Sequence, residues 1–535
     1  MNLAWWLDRA ADEYAERIAI IDGPAALEVT YRELGALSDR LAGALRDDIG
    51  IAPDEVVGTL APDDHWHVAL FYAVLKIGAI FNGLNRTLTP ERLAEDVERS
   101  RAQTIVVSPQ FAALGRQLLD TTCVERVLVS GPDPTGQFPD LRALGAPPRG
   151  EVRVTPRASD DVAAINFTGG TSGTGKGVMF THGRLSLSAQ AAVFHCALRS
   201  RDVNLSCISM YHSGGLHDAV KWVMAGATNV LTGGWKADLA ADLIRAHRPT
   251  WIFFWVPTMI RDLMRHPAWD ELPLEGLSAN LTGEKVPVEL QQQLLARGMR
   301  VANAYGLTET MPYAVFAPMF RYGDDRTGPL GSSGRPSPEM NECVLKDPLT
   351  GATIDEAGVE GEVCVRGDNV TPGYYNDPAR TAEALDDEGF FHTRDLATRD
   401  EDGWYWVGGR TDDIINTGAE KLSLLEVEEA LRGHPVVADV ACAAVAHARF
   451  GQVPAAFVVG QGHETEVELA TILDAHCLDT LERWKRPRLY VKLDEIPRTS
   501  AKRTKSLSHL RAMLEGVELS DADGVTALGR LGAAG

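Results

Sequence analysis

Two rhythms of apolar and polar residues run along the 535-residue chain. Short apolar runs at Val56–Ala61, Ile105–Ser108, Val127–Ser130 and Val162–Phe167 read as buried strands. Between them, Trp66–Lys76 has helical spacing and stops before Gly78, and residues 1–20 read as an amphipathic helix. Further runs at Val203–Ser209, Thr228–Thr232, Trp251–Trp255 and Ser278–Thr282 continue the series. Strands alternating with helices predict parallel sheets covered by helices, an α/β fold. Towards the C-terminus the pattern becomes mixed: a helix at Leu425–Arg432, and strands at Val440–Val445, Ala456–Val459 and Tyr490–Leu493.

The strand Val162–Phe167 empties into FTGGTSGTGKG, residues 167–177. Glycines here let backbone N–H groups converge on an anion, Thr168, Thr171, Ser172 and Thr174 add hydroxyl donors, and Lys176 adds charge. The segment from Gly170 to Lys176 fits the GxxxxGK of a Walker loop, but Gly177 stands where that loop needs a Ser or Thr for magnesium. It therefore reads as a nucleotide loop of another kind. The residues after Gly177, VMFTHGRLSLSAQAAVF, settle into a helical pattern.

FTGGTSGTGKGVMFTH resembles the phosphate loop of the adenylate-forming superfamily, which joins acyl-CoA synthetases, peptide-synthetase adenylation domains and firefly-type luciferases; the match is closest to AMP-forming acyl-CoA synthetases. Further resemblances follow in order along nearly the whole chain: MYHSGG, VANAYGLTE, GSSGRP, GEVCVRG, PGYYNDPARTAEAL, TRD, GRTDD and PRTSAKRTK. The resemblance implies a large N-terminal domain of helix-covered sheets, residues 1–409, that binds the adenylate and acyl groups. A small, mobile α+β C-terminal domain, residues 410–535, follows a hinge at Asp412. It implies ATP or acyl-AMP, Mg2+ and coenzyme A as cofactors, and a small-molecule carboxylic acid as substrate.

The same resemblance assigns roles by position. His212 stands where the acyl carboxylate meets the α-phosphate. Thr168, Gly170, Thr171, Ser172, Gly173 and Lys176 form the phosphate loop. Gly283 and Glu284 flank adenine, Tyr305 offers a ring to stack on it, and Asn303, Gly306 and Thr308 complete the nucleotide motif. Glu309 is the Mg2+ ligand, Asp395 and Arg410 meet the ribose, and Lys502 serves the first half-reaction. Gly418, Ala419 and Glu420 line the thiol tunnel.

Several positions depart from the family pattern. Gly169 replaces a serine and Gly175 a proline; Ser209 stands near the usual proline, and Arg394 replaces the glycine of TGD. Lys502 comes one residue early, with Arg503 in its register. These departures keep a second reading in view: a ligase with an impaired first step, which accepts acyl-adenylate from a separate adenylating enzyme and performs only thioesterification. A peptide-synthetase-type adenylation domain fits less well, since MYHSGG lacks the aspartate that holds an α-amino group. A non-catalytic nucleotide-binding protein would have no use for the intact YGLTE motif. Gly214 and Gly215, with aromatics nearby, suit a bulky or cyclic acyl group as well as a chain.

Composition narrows the partners. A net charge of -22 argues against nucleic acid. No window reads as a membrane span or signal peptide, so a cytoplasmic protein is expected. The seven cysteines include no CxxC, which points to a reducing compartment and away from structural zinc. Nothing in the pattern sets an oligomeric state.

Overall fold

The computed structural model describes residues 1–144, 152–168, 175–316, 328–337, 339–348, 350–417, 420–462, 464–497, 507–520 and 526–528. They divide into two compact units, the first holding Met1–Thr168, Gly175–Thr393 and Thr398–Val407. Arg394–Ala397 and the described part of Gly408–Gly535 belong to the second.

The fold is α/β, as the alternation predicts. Among the described residues, a six-stranded sheet runs in the order Arg126–Val129, Thr104–Val107, Val56–Leu60, Ile80–Gly83, Val162–Thr168, Lys176–Thr181. Its first five strands are parallel and the last is antiparallel. Strands such as TIVV at 104–107 are buried at every position because helices cover both faces. An eight-stranded sheet has a parallel interior formed by Arg300–Tyr305, Ser278–Leu281, Trp251–Trp255, Val203–Ser206, Thr228–Leu231 and Ile18–Asp22. A core packs on each of its faces, one around Trp255 and Leu281, the other around Trp222, Phe253, Phe254 and Tyr313. Local sequence starts the covering helices: Thr30 and Glu33 form a capping box, Asp64 caps His65–Lys76, and Thr181 caps His182–His195.

Two expectations need correction. The N-terminal helix covers only Trp5–Glu13; Ile18–Asp22 is instead a strand paired in parallel with Thr228–Leu231. Its isoleucines are worth more in that buried sheet than on a helix face. The residues after Gly177 do not enter a helix at once. Lys176–Thr181 first pairs antiparallel with Val162–Thr168, and the helix begins at His182. The glycine-rich segment thus joins two strands, whereas a Walker loop joins a strand to a helix.

A five-stranded sheet runs Thr353–Ile354, Asn341–Lys346, Gly361–Gly367, Phe391–Arg399, Tyr405–Arg410. In the second unit a sheet centred on the antiparallel pair Val437–His447 and Gly451–Gly460 carries helix Leu424–Arg432 and helix Glu466–Thr480. Apolar cores lie on both of its faces. Among the described residues no helix is long and apolar enough to cross a membrane.

Candidate active site

Thr168 and Lys176 are direct partners in the hairpin, so the glycine-rich segment leaves and returns at one place. Gly170, Thr171, Ser172 and Gly173 lie outside the described residues. Gly175, at the returning end, packs tightly: a Cβ there would sit 2.6 Å from Asp96 Oδ1. Arg99 Nη1 donates to the Gly175 carbonyl at 3.2 Å.

The returning strand is joined to the PGYY segment. Met179 N donates to Gly373 O, Tyr375 N donates to Gly177 O at 2.7 Å, and Thr371 Oγ1 donates to Met179 O. The same segment receives the YGLTE motif. Thr371 N donates to the Glu309 carbonyl at 2.7 Å, and Tyr374 Oη donates to Glu309 Oε1 at 3.0 Å. Lys176 Nζ lies 5.1 Å from the centre of the Tyr374 ring, within cation–π range. Three motifs far apart in sequence therefore meet at one buried tyrosine, and Glu309 itself is buried. The PGYY motif is the sequence signal for Tyr374, whose two contacts only the fold reveals.

The YGLTE turn is held from inside. A Cβ on Gly306 would overlap the Pro312 carbonyl, so only glycine lets the two backbones pass. Thr308 and Glu309 open the short 3-10 turn Thr308–Thr310, and Tyr305 is half-buried at the end of its strand. Asn303 is buried: its Nδ2 donates to Ser332 O at 2.9 Å, and its Oδ1 accepts from Gln291 Nε2 at 2.8 Å. Gln291 Oε1 also accepts from Gly331 N at 2.8 Å, tying the GSSGRP segment to the same strand. No motif flagged Gln291. Gly283 takes a positive φ of 88°, and Glu284 Oε1 accepts from Thr258 Oγ1 at 3.0 Å.

His212 is the N-cap residue of helix Ser213–Ala225, with its ring 4.5 Å from that of Tyr211. The approach to it is fixed by Asp63, whose Oδ1 accepts from Met210 N at 2.8 Å. Burial works against the Asp63 charge, yet His67, Arg86 and the Met210 N–H outweigh it and hold the carboxyl at about 2. A Cβ on Gly215 would overlap the Ser209 carbonyl, so the first helical turn sits directly on that loop.

In the second unit, Arg410 Nη1 donates to Asp395 Oδ1 at 2.6 Å. The preceding residue, Arg394, is exposed and adopts a φ of 61°, the left-handed region that glycine occupies without cost. Glu420 is exposed on the strand Glu420–Ser423. Gly418, Ala419 and Lys502, and the side chain of Asp412, lie outside the described residues.

The chain matches the AMP-binding enzyme model over residues 7–375 and the AMP-binding enzyme C-terminal domain over residues 426–503. It is 30% identical over 510 residues to an indoleacetate–CoA ligase of Aromatoleum aromaticum, covering 94% of this chain and 96% of the relative. A 2-succinylbenzoate–CoA ligase of Bacillus cereus is 28% identical over 455 residues, 85% of this chain and 88% of its own. Among solved structures, an o-succinylbenzoate CoA synthetase of Bacillus subtilis in complex with the acyl-adenylate intermediate OSB-AMP superposes with a TM-score of 0.79 at 26% identity, covering 95% of this chain and 97% of that one. With its buried Glu309–Tyr374 contact, the paired ends of its glycine-rich segment and a family match over most of its length, the chain belongs to the AMP-binding enzyme family.

Proposed function

We propose that the protein is an acyl-CoA ligase that joins a carboxylic acid to coenzyme A through an acyl-adenylate. The observation that carries this reading is the meeting of Lys176, Glu309 and Tyr374, in a chain whose full-length relatives are CoA ligases. The acid's carboxylate attacks the α-phosphate of ATP and pyrophosphate leaves. The thiol of coenzyme A then attacks the acyl carbon and AMP leaves.

The first step brings two anions together, so it needs fixed positive charge and backbone donors. In this reading the loop from Thr168 through Gly170, Thr171, Ser172 and Gly173 to Lys176 holds the phosphates. Glu309 suits Mg2+: it is a hard oxygen donor, and Tyr374 already fixes one carboxylate oxygen. Bound there, the ion would neutralise phosphate charge. Tyr305 supplies the surface for adenine beside Gly283 and Glu284, while Asn303, Gly306 and Thr308 shape the turn. Asp395, fixed by Arg410, accepts from the ribose hydroxyls. His212 orients the acyl carboxylate and Lys502 serves adenylation. Rotation about Asp412 then replaces Lys502 with the Gly418–Ala419–Glu420 wall for the thiol.

Acid-dependent exchange of pyrophosphate into ATP tests the first step, and thioester formation from synthetic acyl-adenylate tests the second. Indole-, phenyl- and short-chain carboxylic acids form the starting panel. The reading expects both activities, with exchange lost in Lys502→Ala and thioesterification retained. Thioester formation without exchange for any acid would replace it with the thioesterification-only reading, which the strained Arg394 backbone favours. Absence of both activities would overturn it.

A further inference from the structure

The five-stranded sheet holds a group of side chains that the adenylation chemistry does not use. Glu362 and Cys364 lie two residues apart on the strand Gly361–Gly367, so both point to one face. His392, near the start of Phe391–Arg399, comes from the next strand in the sheet. Glu362 and Cys364 are buried, and His392 is half-buried. Their donor atoms lie within 4.8 Å of one another. His392 Nδ1 is 3.0 Å from Glu362 Oε2 and 3.5 Å from Cys364 Sγ. Among the described residues no other set of three His, Cys, Asp or Glu donors converges this closely.

The spacing matches a particular kind of ligand. A tetrahedral zinc ion with Zn–N of about 2.0–2.1 Å and Zn–S of about 2.3 Å places those two atoms about 3.5 Å apart. Mixed thiolate, imidazole and carboxylate donors suit Zn2+, whereas Mg2+ and Ca2+ prefer oxygen alone. The outer groups are arranged to match. With Nδ1 turned to the cluster, His392 Nε2 lies 3.4 Å from Asp386 Oδ2. Asp386 is itself fixed: Lys346 Nζ donates to it at 2.6 Å, and its Oδ1 accepts from Glu388 N and Phe390 N. A carboxylate on the far nitrogen of a ligating histidine fixes its tautomer and raises its basicity.

We infer that Glu362, Cys364 and His392 form a zinc site, with Asp386 orienting His392. The ion ties two neighbouring strands together three residues before Asp395. Three protein ligands leave a fourth position for water. The site is invisible to cysteine spacing, because its donors come from alternate positions on one strand and from a strand beside it.

The test uses the untagged full-length chain, stripped with a chelator and titrated with ZnCl2 or CoCl2. The expected result is about one zinc per chain by elemental analysis. Co2+ should give a thiolate charge-transfer band that disappears in Cys364→Ser. Asp386→Asn should weaken zinc by about 10–100-fold in a chelator competition. Should Cys364→Ser not fold, His392→Gln keeps the thiol and must weaken Co2+ by at least the same factor. A Co2+ complex without the thiolate band, a band that survives Cys364→Ser, or zinc affinity unmoved by His392→Gln would overturn the site. None of these measurements depends on ATP, an acid or coenzyme A.

Discussion

Tyr374 Oη donates a hydrogen bond to Glu309 Oε1 at 3.0 Å while the ring of Tyr374 lies under Lys176 Nζ. One side chain thus joins the carboxylate of the YGLTE motif to the lysine of the glycine-rich segment. The hydroxyl and the ring do separate things, and they can be separated by mutation.

Tyr374→Phe keeps the ring beneath Lys176 and removes only the donor to Glu309. A hydrogen bond to a charged group contributes about 1.5–3 kcal/mol, which corresponds to about 10–10²-fold in rate if it acts in the transition state. Pyrophosphate exchange should fall by that factor, with a raised Mg2+ requirement, and thioesterification of preformed adenylate should change less. Equal loss in both steps would mean that Tyr374 only supports the fold.

Asp96 is buried, and burial pushes its carboxyl up to about 7. The unfolded chain releases this proton near the ordinary carboxylate pKa of about 3.9, while the folded chain keeps it. Between those values the folded state binds more protons, so this group makes stability fall as pH rises from about 4 to 7, and flat beyond. Asp96→Asn should remove that slope and stabilise the protein at pH 8, as read from urea midpoints across pH. A midpoint at pH 8 that does not rise would contradict the assignment.

Gly175 and Asp96 should be energetically coupled. Adding a Cβ at Gly175 forces Asp96 Oδ1 away from a 2.6 Å approach. Gly175→Ala should destabilise the wild-type background and be better tolerated with Asp96→Ala. The interaction free energy in the double-mutant cycle should be about 0.5–3 kcal/mol. Strict additivity would show that the loop end relaxes freely.

Gln291→Leu leaves both Gly331 N–H and Asn303 Oδ1 without the partner each has now. An unsatisfied buried group costs about 1–3 kcal/mol, so thermal stability should drop. Because the proposed function sets Asn303 beside the bound nucleotide, KM for ATP should rise more than kcat falls. Unchanged KM with lowered stability would confine Gln291 to structural support.

Most of the α/β architecture was readable because its signals are local. Apolar runs such as Ile105–Val107 stay apolar whichever neighbours they find, and the helical spacing of Trp66–Lys76 is complete within one short stretch. Locality also explains the two misreadings. Residues 1–20 look helical until Ile18–Asp22 finds Thr228–Leu231, and Val178–Thr181 looks helical until it folds back on Val162–Asn166.

Read alone, the linear chain determined its α/β class, the glycine-rich segment that follows a buried strand, the order of the family motifs and therefore its family, since each needs only residues adjacent in the chain. Tertiary structure decided that Tyr374 reaches Glu309, that Gln291 holds Asn303, that Asp96 presses on Gly175, and that His392 meets Glu362 and Cys364. These contacts depend on strand order and register. Register selects which side chains share a face, and strand order selects which distant segments lie side by side.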